Sequence, residues 1–307
     1  MQKTIVYVAL CLLLTACATL TTTQIKSVNQ FAETSKNFSA YPSKILSELS
    51  DIRRASGVYF AAGLSDPRNI VPELDSVYSD LVGDFNATQK VDITFEIIDK
   101  YAQSLMLLSS DKHAADLAQQ AKTFGTDIDS LITIYNGISG TTPLPSGIGG
   151  AVKKLVVLAG TQYIKIKQAA EIKRFVPQAD ALINEMTKNL LEFLQTTRLN
   201  ALIVAMETKI RADFKNYYGN ASNKPFAENS YNHYLGLKKQ IDEVKALRDQ
   251  TVAATQQLRQ AHAALLTEIQ TKKTLQEMTA EVKALVEQVK DIKQTIREID
   301  NSKTNRS

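Results

Sequence analysis

From Phe226 to about Asp300 the chain contains no proline and one glycine, Gly236, and its apolar residues recur at helical spacing throughout. One uninterrupted helix of that length would extend on the order of 110 Å at about 1.5 Å per residue. Such a helix cannot bury itself, so its apolar stripe must lie on other helices or on another copy of the chain. Met278, Val282, Leu285, Val289, Ile292, Ile296 and Ile299 alternate in steps of four and three, the seam of a coiled coil. An earlier stripe, Ile241, Val244, Leu258, Leu265 and Ile269, is displaced from it by one residue across Thr271-Lys272-Lys273-Thr274. That slip predicts a local change of supercoiling or of partner.

The remainder of the chain points the same way. Twelve Gly and seven Pro in 307 residues are too few for the frequent turns of sandwiches, barrels or doubly wound sheets, and 44% hydrophobic residues supply a core. The expected fold is all-α: an elongated antiparallel helical bundle with a long C-terminal coiled-coil helix. A net charge of +4, from 36 basic and 32 acidic residues, is too balanced for a dedicated nucleic-acid binder.

Helical spacing predicts elements over 25 to 39, 43 to 62, 67 to 84, 88 to 109 and 111 to 137. Asp66-Pro67 reads as a helix start, an acceptor followed by proline at the first helical position. Leu117, Ala121, Phe124, Ile128, Leu131 and Tyr135 form a seam for a neighbouring helix. Val91, Ile93 and Phe95 alternate as a strand would, but Ile97, Tyr101, Leu105 and Leu108 continue at helical spacing, which favours helix.

Gly137, Gly140, Pro143, Pro145, Gly147, Gly149 and Gly150 mark a loop that divides the chain. Beyond it, helical spacing runs from 148 to 218, with a kink or break expected near Phe175 because of Pro177. Tyr218 to Pro225 reads as a turn that folds this segment back on the front half of the last helix. The organisation expected is an N-terminal segment over 1 to 16, a tether over 17 to 24, and a short-helix bundle over 25 to 137. A Gly/Pro loop over 138 to 147, a long-helix hairpin with coiled coil over 148 to 300 and a polar tail over 301 to 307 follow.

The N-terminus carries the sharpest signal. Lys3, the apolar run Ile5 to Leu14 and the small residues after it have the three-part layout of a secretion signal, and the run is too short to span a bilayer as an ordinary helix. Leu14-Thr15-Ala16-Cys17 resembles the lipobox of bacterial lipoproteins. That resemblance covers about residues 1 to 20. It implies that the Cys17 thiol receives a diacylglyceryl group, that the leader is cut just before it, and that palmitate-like chains tether the mature protein without spanning the membrane. Ala18, where inner-membrane lipoproteins tend to carry Asp, implies the outer membrane, with the domain facing the periplasm. Removal of the leader takes Cys11 with it and leaves Cys17 as the only thiol, so no intramolecular disulfide can form. Ala18 to Thr23 reads as a short flexible tether.

No residue pattern specifies catalysis, a cofactor or a metal. His113, His233 and His262 lie far apart with no second His or Cys at ligand spacing. His113 and Asp116 are one helical turn apart, which could set a carboxylate beside an imidazole, but no nucleophile motif accompanies them and a surface pair is the favoured reading. His262 falls between Leu258 and Leu265, where a polar residue would set helix register. Tyr231, His233 and Tyr234 read either as an aromatic contact patch or as a helix end packed on a neighbour. Ser146-Gly147-Ile148-Gly149-Gly150 lacks both the Gly-Lys-Ser/Thr ending and the preceding strand of a phosphate loop.

The stretch after that loop admits two readings. Ile148, Val152 and Leu155 share a face flanked by Lys153 and Lys154, which suits either a membrane or partner surface or an ordinary bundle helix with a cationic solvated side. The function expected first is that of a lipid-anchored structural or protein-interaction module, with a protein partner or self-association through the C-terminal helix and no nucleic acid. The alternative is a membrane-active protein that resembles α-helical pore-forming toxins in layout. Covalent attachment to peptidoglycan, as in the small heptad-repeat lipoprotein of enteric bacteria, would need a C-terminal Lys, whereas this chain ends Lys303-Thr304-Asn305-Arg306-Ser307.

Overall fold

The computed structural model describes residues 20–64, 66–110, 114–138, 142–153, 161–195, 197–219, 228–271 and 275–304. All of its regular structure is helical, and no strand occurs among the described residues. The helices are α1 (Thr22–Ser39), α2 (Pro42–Ala62), α3 (Ile70–Leu108), α4 (Ala114–Asn136), α5 (Gly149–Lys153), α6 (Thr161–Gln195), α7 (Thr197–Gly219), α8 (Glu228–Thr271) and α9 (Leu275–Thr304), with a 3-10 turn at Pro67–Asn69. None of the described helices is long and apolar enough to cross a membrane.

Local chemistry explains the boundaries. Thr21 and Gln24 form a reciprocal capping box: the Gln24 N–H donates to Thr21 Oγ1 at 3.2 Å and the Thr21 N–H donates to Gln24 Oε1 at 2.8 Å. Helix α1 therefore begins at Thr22, and Leu20 before it is buried. Leu20 to Thr23, counted in the expected flexible tether, are therefore part of the start of α1, and Ala18 and Thr19 lie outside the described residues. Asp66 does not cap an α-helix directly. Its Oδ1 accepts the Arg68 N–H at 3.0 Å and opens the 3-10 turn, after which α3 runs as one helix where two were expected.

Packing explains one ambiguous pattern, which proves helical as favoured, and corrects two other expectations. Val91, Ile93 and Phe95 lie in helix α3 and are buried together with Thr94, so their alternation belongs to a helix covered on several sides. Pro177 neither breaks nor ends α6, because Phe175, Val176 and Ala179 beside it are all fully buried. Burial of two such large side chains, at roughly 1.5–3 kcal/mol each, offsets a proline cost of about 3 kcal/mol.

No single helix runs from 226 to 300. Helix α8 ends at Thr271 and α9 begins at Leu275. Gln257 Nε2 donates to the Glu281 backbone O at 3.0 Å and to its Oε2 at 2.6 Å. In a continuous helix those residues would be on the order of 36 Å apart, so the chain folds back between the two arms. The one-residue phase slip falls where the direction reverses.

The chain forms two compact units, neither of them a contiguous piece of sequence. The first comprises Met1–Lys36, Glu96–Met186 and Gln257–Val286. Its core holds Phe31, Tyr101, Leu105, Ile128, Tyr135, Phe175, Leu182, Leu258, Leu265 and Leu285. Within it α6 and α8 run antiparallel, since Asp180 faces His262 and Asn184 Oδ1 accepts from Arg259 Nε at 2.9 Å. Residues around the expected 138 to 147 loop belong to this unit. There Asn136 Oδ1 accepts the Leu144 N–H at 2.7 Å while its Nδ2 donates to the Leu144 carbonyl at 3.0 Å. Gly147, at φ +80°, adopts a left-handed turn that other residues rarely enter. Helix α5 then packs on α4 so closely that a Cβ on Gly149 would lie 1.9 Å from the Gly125 carbonyl oxygen.

The second unit comprises Asn37–Phe95, Thr187–Gln256 and Glu287–Ser307. Phe38, Ile45, Ile52, Phe95, Ile203, Ile210, Ile241, Val244, Leu247, Ile292 and Ile299 fill its core. Helices α2 and α7 pack together. At their contact the buried Asp213 accepts from Ser56 Oγ at 2.6 Å and pairs with Lys209 at 3.0 Å. Helices α7 and α8 are antiparallel, with Glu207 paired to Lys245 at 2.8 Å and Phe214 stacked on Tyr234 at 4.3 Å.

Candidate functional site

The densest group of chemically capable side chains lies in the first unit, where α3, α6 and α8 bring Tyr101, Asp180 and His262 together. The Tyr101 hydroxyl is 3.0 Å from His262 Nδ1, and His262 Nε2 is 3.5 Å from Asp180 Oδ1. If the phenol donates to Nδ1, the imidazole N–H on the other nitrogen faces the carboxylate, the order of a carboxylate–imidazole–hydroxyl relay. The contact with His262 holds the Asp180 carboxyl below the ordinary carboxylate range, against its partial burial. Burial, reinforced by the Asp180 charge, keeps the Tyr101 phenol well above its usual range.

The surroundings make this a packing element. Tyr101 is stacked on Phe175 at 5.4 Å, with Phe31 edge-on at 6.5 Å, and Phe31, Tyr101 and Phe175 have no exposed surface. A hydroxyl enclosed in that way has no approach for a substrate, whereas its hydrogen bond to His262 Nδ1 ties α3 to α8; Nε2, 3.5 Å from Asp180, is buried without a hydrogen bond. His262 therefore occupies the seam position expected of it. Tyr101 and Asp180 were not singled out as its partners, since they lie 161 and 82 residues away in sequence and only the packing brings them close.

A second cluster, in the second unit, is aromatic. Around Phe214 gather Tyr59, Tyr217, Tyr218, Tyr231 and Tyr234, with ring centroids 4.3–6.4 Å away. His233 lies 5.1 Å from the Tyr59 ring. Burial pushes the Tyr59 phenol up to about 12, helped by Tyr217 and Tyr218, and its hydroxyl donates to the Ser230 carbonyl at 3.0 Å. Tyr231, His233 and Tyr234 thus meet α2 and the end of α7: of the two readings, the packed helix end accounts for them.

A shallow groove of about 300 Å³ in the same unit is lined by Leu194, Gln195, Asn200, Arg248, Asp249 and Val252. The Arg248 guanidinium bonds to Asp249 at 2.7 Å and also to Asn200, so its donors are engaged within the groove. Among the described residues no group of three or more His, Cys, Asp or Glu could hold a metal ion.

The residues singled out in the sequence are placed as follows. Cys17, His113, Lys154 and Leu155, together with the side chains of Asp116, Lys153 and Met278, lie outside the described residues. Ile148 and Val152 are buried in the first unit, and the helix that carries Val152 is the short α5. Two of the five residues proposed for a membrane or partner face are therefore already covered by the chain itself. In the C-terminal seam, Val282, Leu285, Val289, Ile292 and Ile299 are buried and Ile296 is half-buried. That stripe is covered within a single chain, the first of the two alternatives, other helices or another copy, that its length left open.

In comparisons with known proteins, no family model matches the chain, no curated protein is similar to it, and no solved structure matches it.

Proposed function

We propose that this chain is a lipid-anchored helical protein of a bacterial cell envelope, acting as a structural or protein-interaction module on the periplasmic side of the outer membrane. The observation that carries the reading is Leu14-Thr15-Ala16-Cys17 placed directly after the apolar run Ile5 to Leu14. Two further features support it. Tyr101 and His262, which carry the most versatile chemistry of the first unit, are enclosed in its core. Helical order also begins within a few residues of Cys17, as expected of a domain carried by its anchor.

Because the apolar stripe of α9 is covered within the chain, a protein partner in this reading meets its charged outer face, on which Lys283, Glu287, Lys290, Lys293 and Arg297 are exposed. Metabolic labelling with radioactive palmitate tests the anchor. Label on the parent protein, lost in the Cys17→Ser variant and accompanied by release from the membrane fraction, is the expected result. Equal label in both proteins would overturn the proposal.

A further inference from the structure

The buried Leu20, the Thr21–Gln24 capping box and Glu268 together fix where the first unit meets its anchor. Gln24 accepts the Thr21 N–H through Oε1 and donates from Nε2 to Glu268 Oε1 at 3.3 Å. The first turn of α1 is thereby tied to the last turns of α8. The two helices run antiparallel, since Phe31, further along α1, packs on His262, earlier in α8. The start of α1 and the end of α8 therefore lie at the same end of the first unit.

Only three residue steps separate Cys17 from the buried Leu20, and a fully extended chain covers at most about 3.3–3.6 Å per residue, or roughly 11 Å. The polar headgroup region on each side of a bilayer is roughly 5–7 Å deep. An acylated Cys17 at that level leaves the folded unit no room to stand clear of the surface.

We infer that this end of the first unit rests on the phospholipid headgroup layer, with Thr22, Thr23 and Lys26 of α1 and Gln270 of α8 as the contacting side chains. This rests on the proposed acylation of Cys17. All four residues are exposed, and the first turn of α1 contains no acid. Hydroxyls, an amide and an ammonium suit a layer of phosphate and glycerol oxygens. The one carboxylate tied to this turn, Glu268, is buried, and its Oε2 has no hydrogen-bond partner.

Fluorophore-labelled Lys26→Cys, Gln270→Cys and Gln260→Cys variants of the full acylated protein, in vesicles of phosphatidylethanolamine and phosphatidylglycerol carrying a headgroup quencher, provide the test. Position 260 is an exposed control on α8, roughly 15 Å along the helix from 270. Emission at 26 and 270 is expected to be lost while emission at 260 is retained. A flexible Gly-Ser insertion of about 12 residues after Cys17, with a mean span of about 20 Å, is expected to abolish the contrast. Equal quenching at all three sites, or a contrast that survives the insertion, overturns the inference. Mass measurement of the same protein separates the two readings: an acylated Cys17 without the contrast overturns the orientation alone, and an unmodified Cys17 overturns both.

Discussion

Tyr101 and His262 meet through a 3.0 Å contact between the phenol oxygen and Nδ1, in a part of the first unit from which water is excluded. Replacing Tyr101 with Phe keeps the ring against Phe175 and Phe31 but strips the imidazole of its partner. The expected loss is about 1–3 kcal/mol, the cost of leaving a buried polar atom unsatisfied. His262→Ala should cost about 2–5 kcal/mol, because a cavity is added to the orphaned hydroxyl. Combining Tyr101→Phe with His262→Ala should lose less than the two single changes summed. Urea unfolding of the four proteins measures the coupling, and strict additivity would show that the contact carries no energy.

The approach of α5 to α4 gives a paired test. Alanine at position 149 would drive its Cβ against the Gly125 backbone, which cannot yield as a flexible side chain would. A loss of about 3 kcal/mol or more is expected. Alanine at 150 meets nothing within 4 Å and sits in helix α5, so it should be neutral or stabilise by up to about 1 kcal/mol. Thermal unfolding of the two variants should therefore move in opposite directions or, at the least, differ by several degrees.

Burial of the α9 stripe makes a different prediction about association. Leu285→Ala should destabilise the isolated chain by about 2–5 kcal/mol, while Ile134→Ala, at a site 51% exposed, should stay within about 0.5 kcal/mol of the parent. If the seam is satisfied within one chain, the midpoint of the parent does not change with protein concentration. A midpoint that rises with dilution series concentration would mean that a second copy contributes to covering it.

What could be read in advance follows a physical line. Helix type was legible because the 3.6-residue spacing of residues such as Ile97, Tyr101, Leu105 and Leu108 is a local property of the chain. The helix through Pro177 was not, because its continuation depends on burial of Phe175 and Val176 by other elements. The reversal between Thr271 and Leu275 left no Gly or Pro as punctuation, and the phase slip of the apolar stripe was its only trace. The partners of His262 carried no signal at all, since Tyr101 and Asp180 come from helices whose neighbourhood only the packing decides.

Glu268 gives the stability of the first unit a dependence on pH whose sign can be worked out. Burial pushes its carboxyl above the ordinary value of 4.5, and the Gln24 amide only partly opposes this. Below about 4.5 the group is protonated in both folded and unfolded chains, so it imposes no penalty. As pH rises past that value the unfolded chain ionises first, and stability falls until the pH exceeds the raised folded value, beyond which the penalty is constant. Glu268→Gln keeps the shape and removes the charge. Its melting temperature should exceed that of the parent near neutral pH, and the gap should close as the pH is lowered through the ordinary glutamate range. A gap that instead widened in acid would mean that the carboxylate stabilises the folded chain, and that the end of α8 is held by charge as well as by packing.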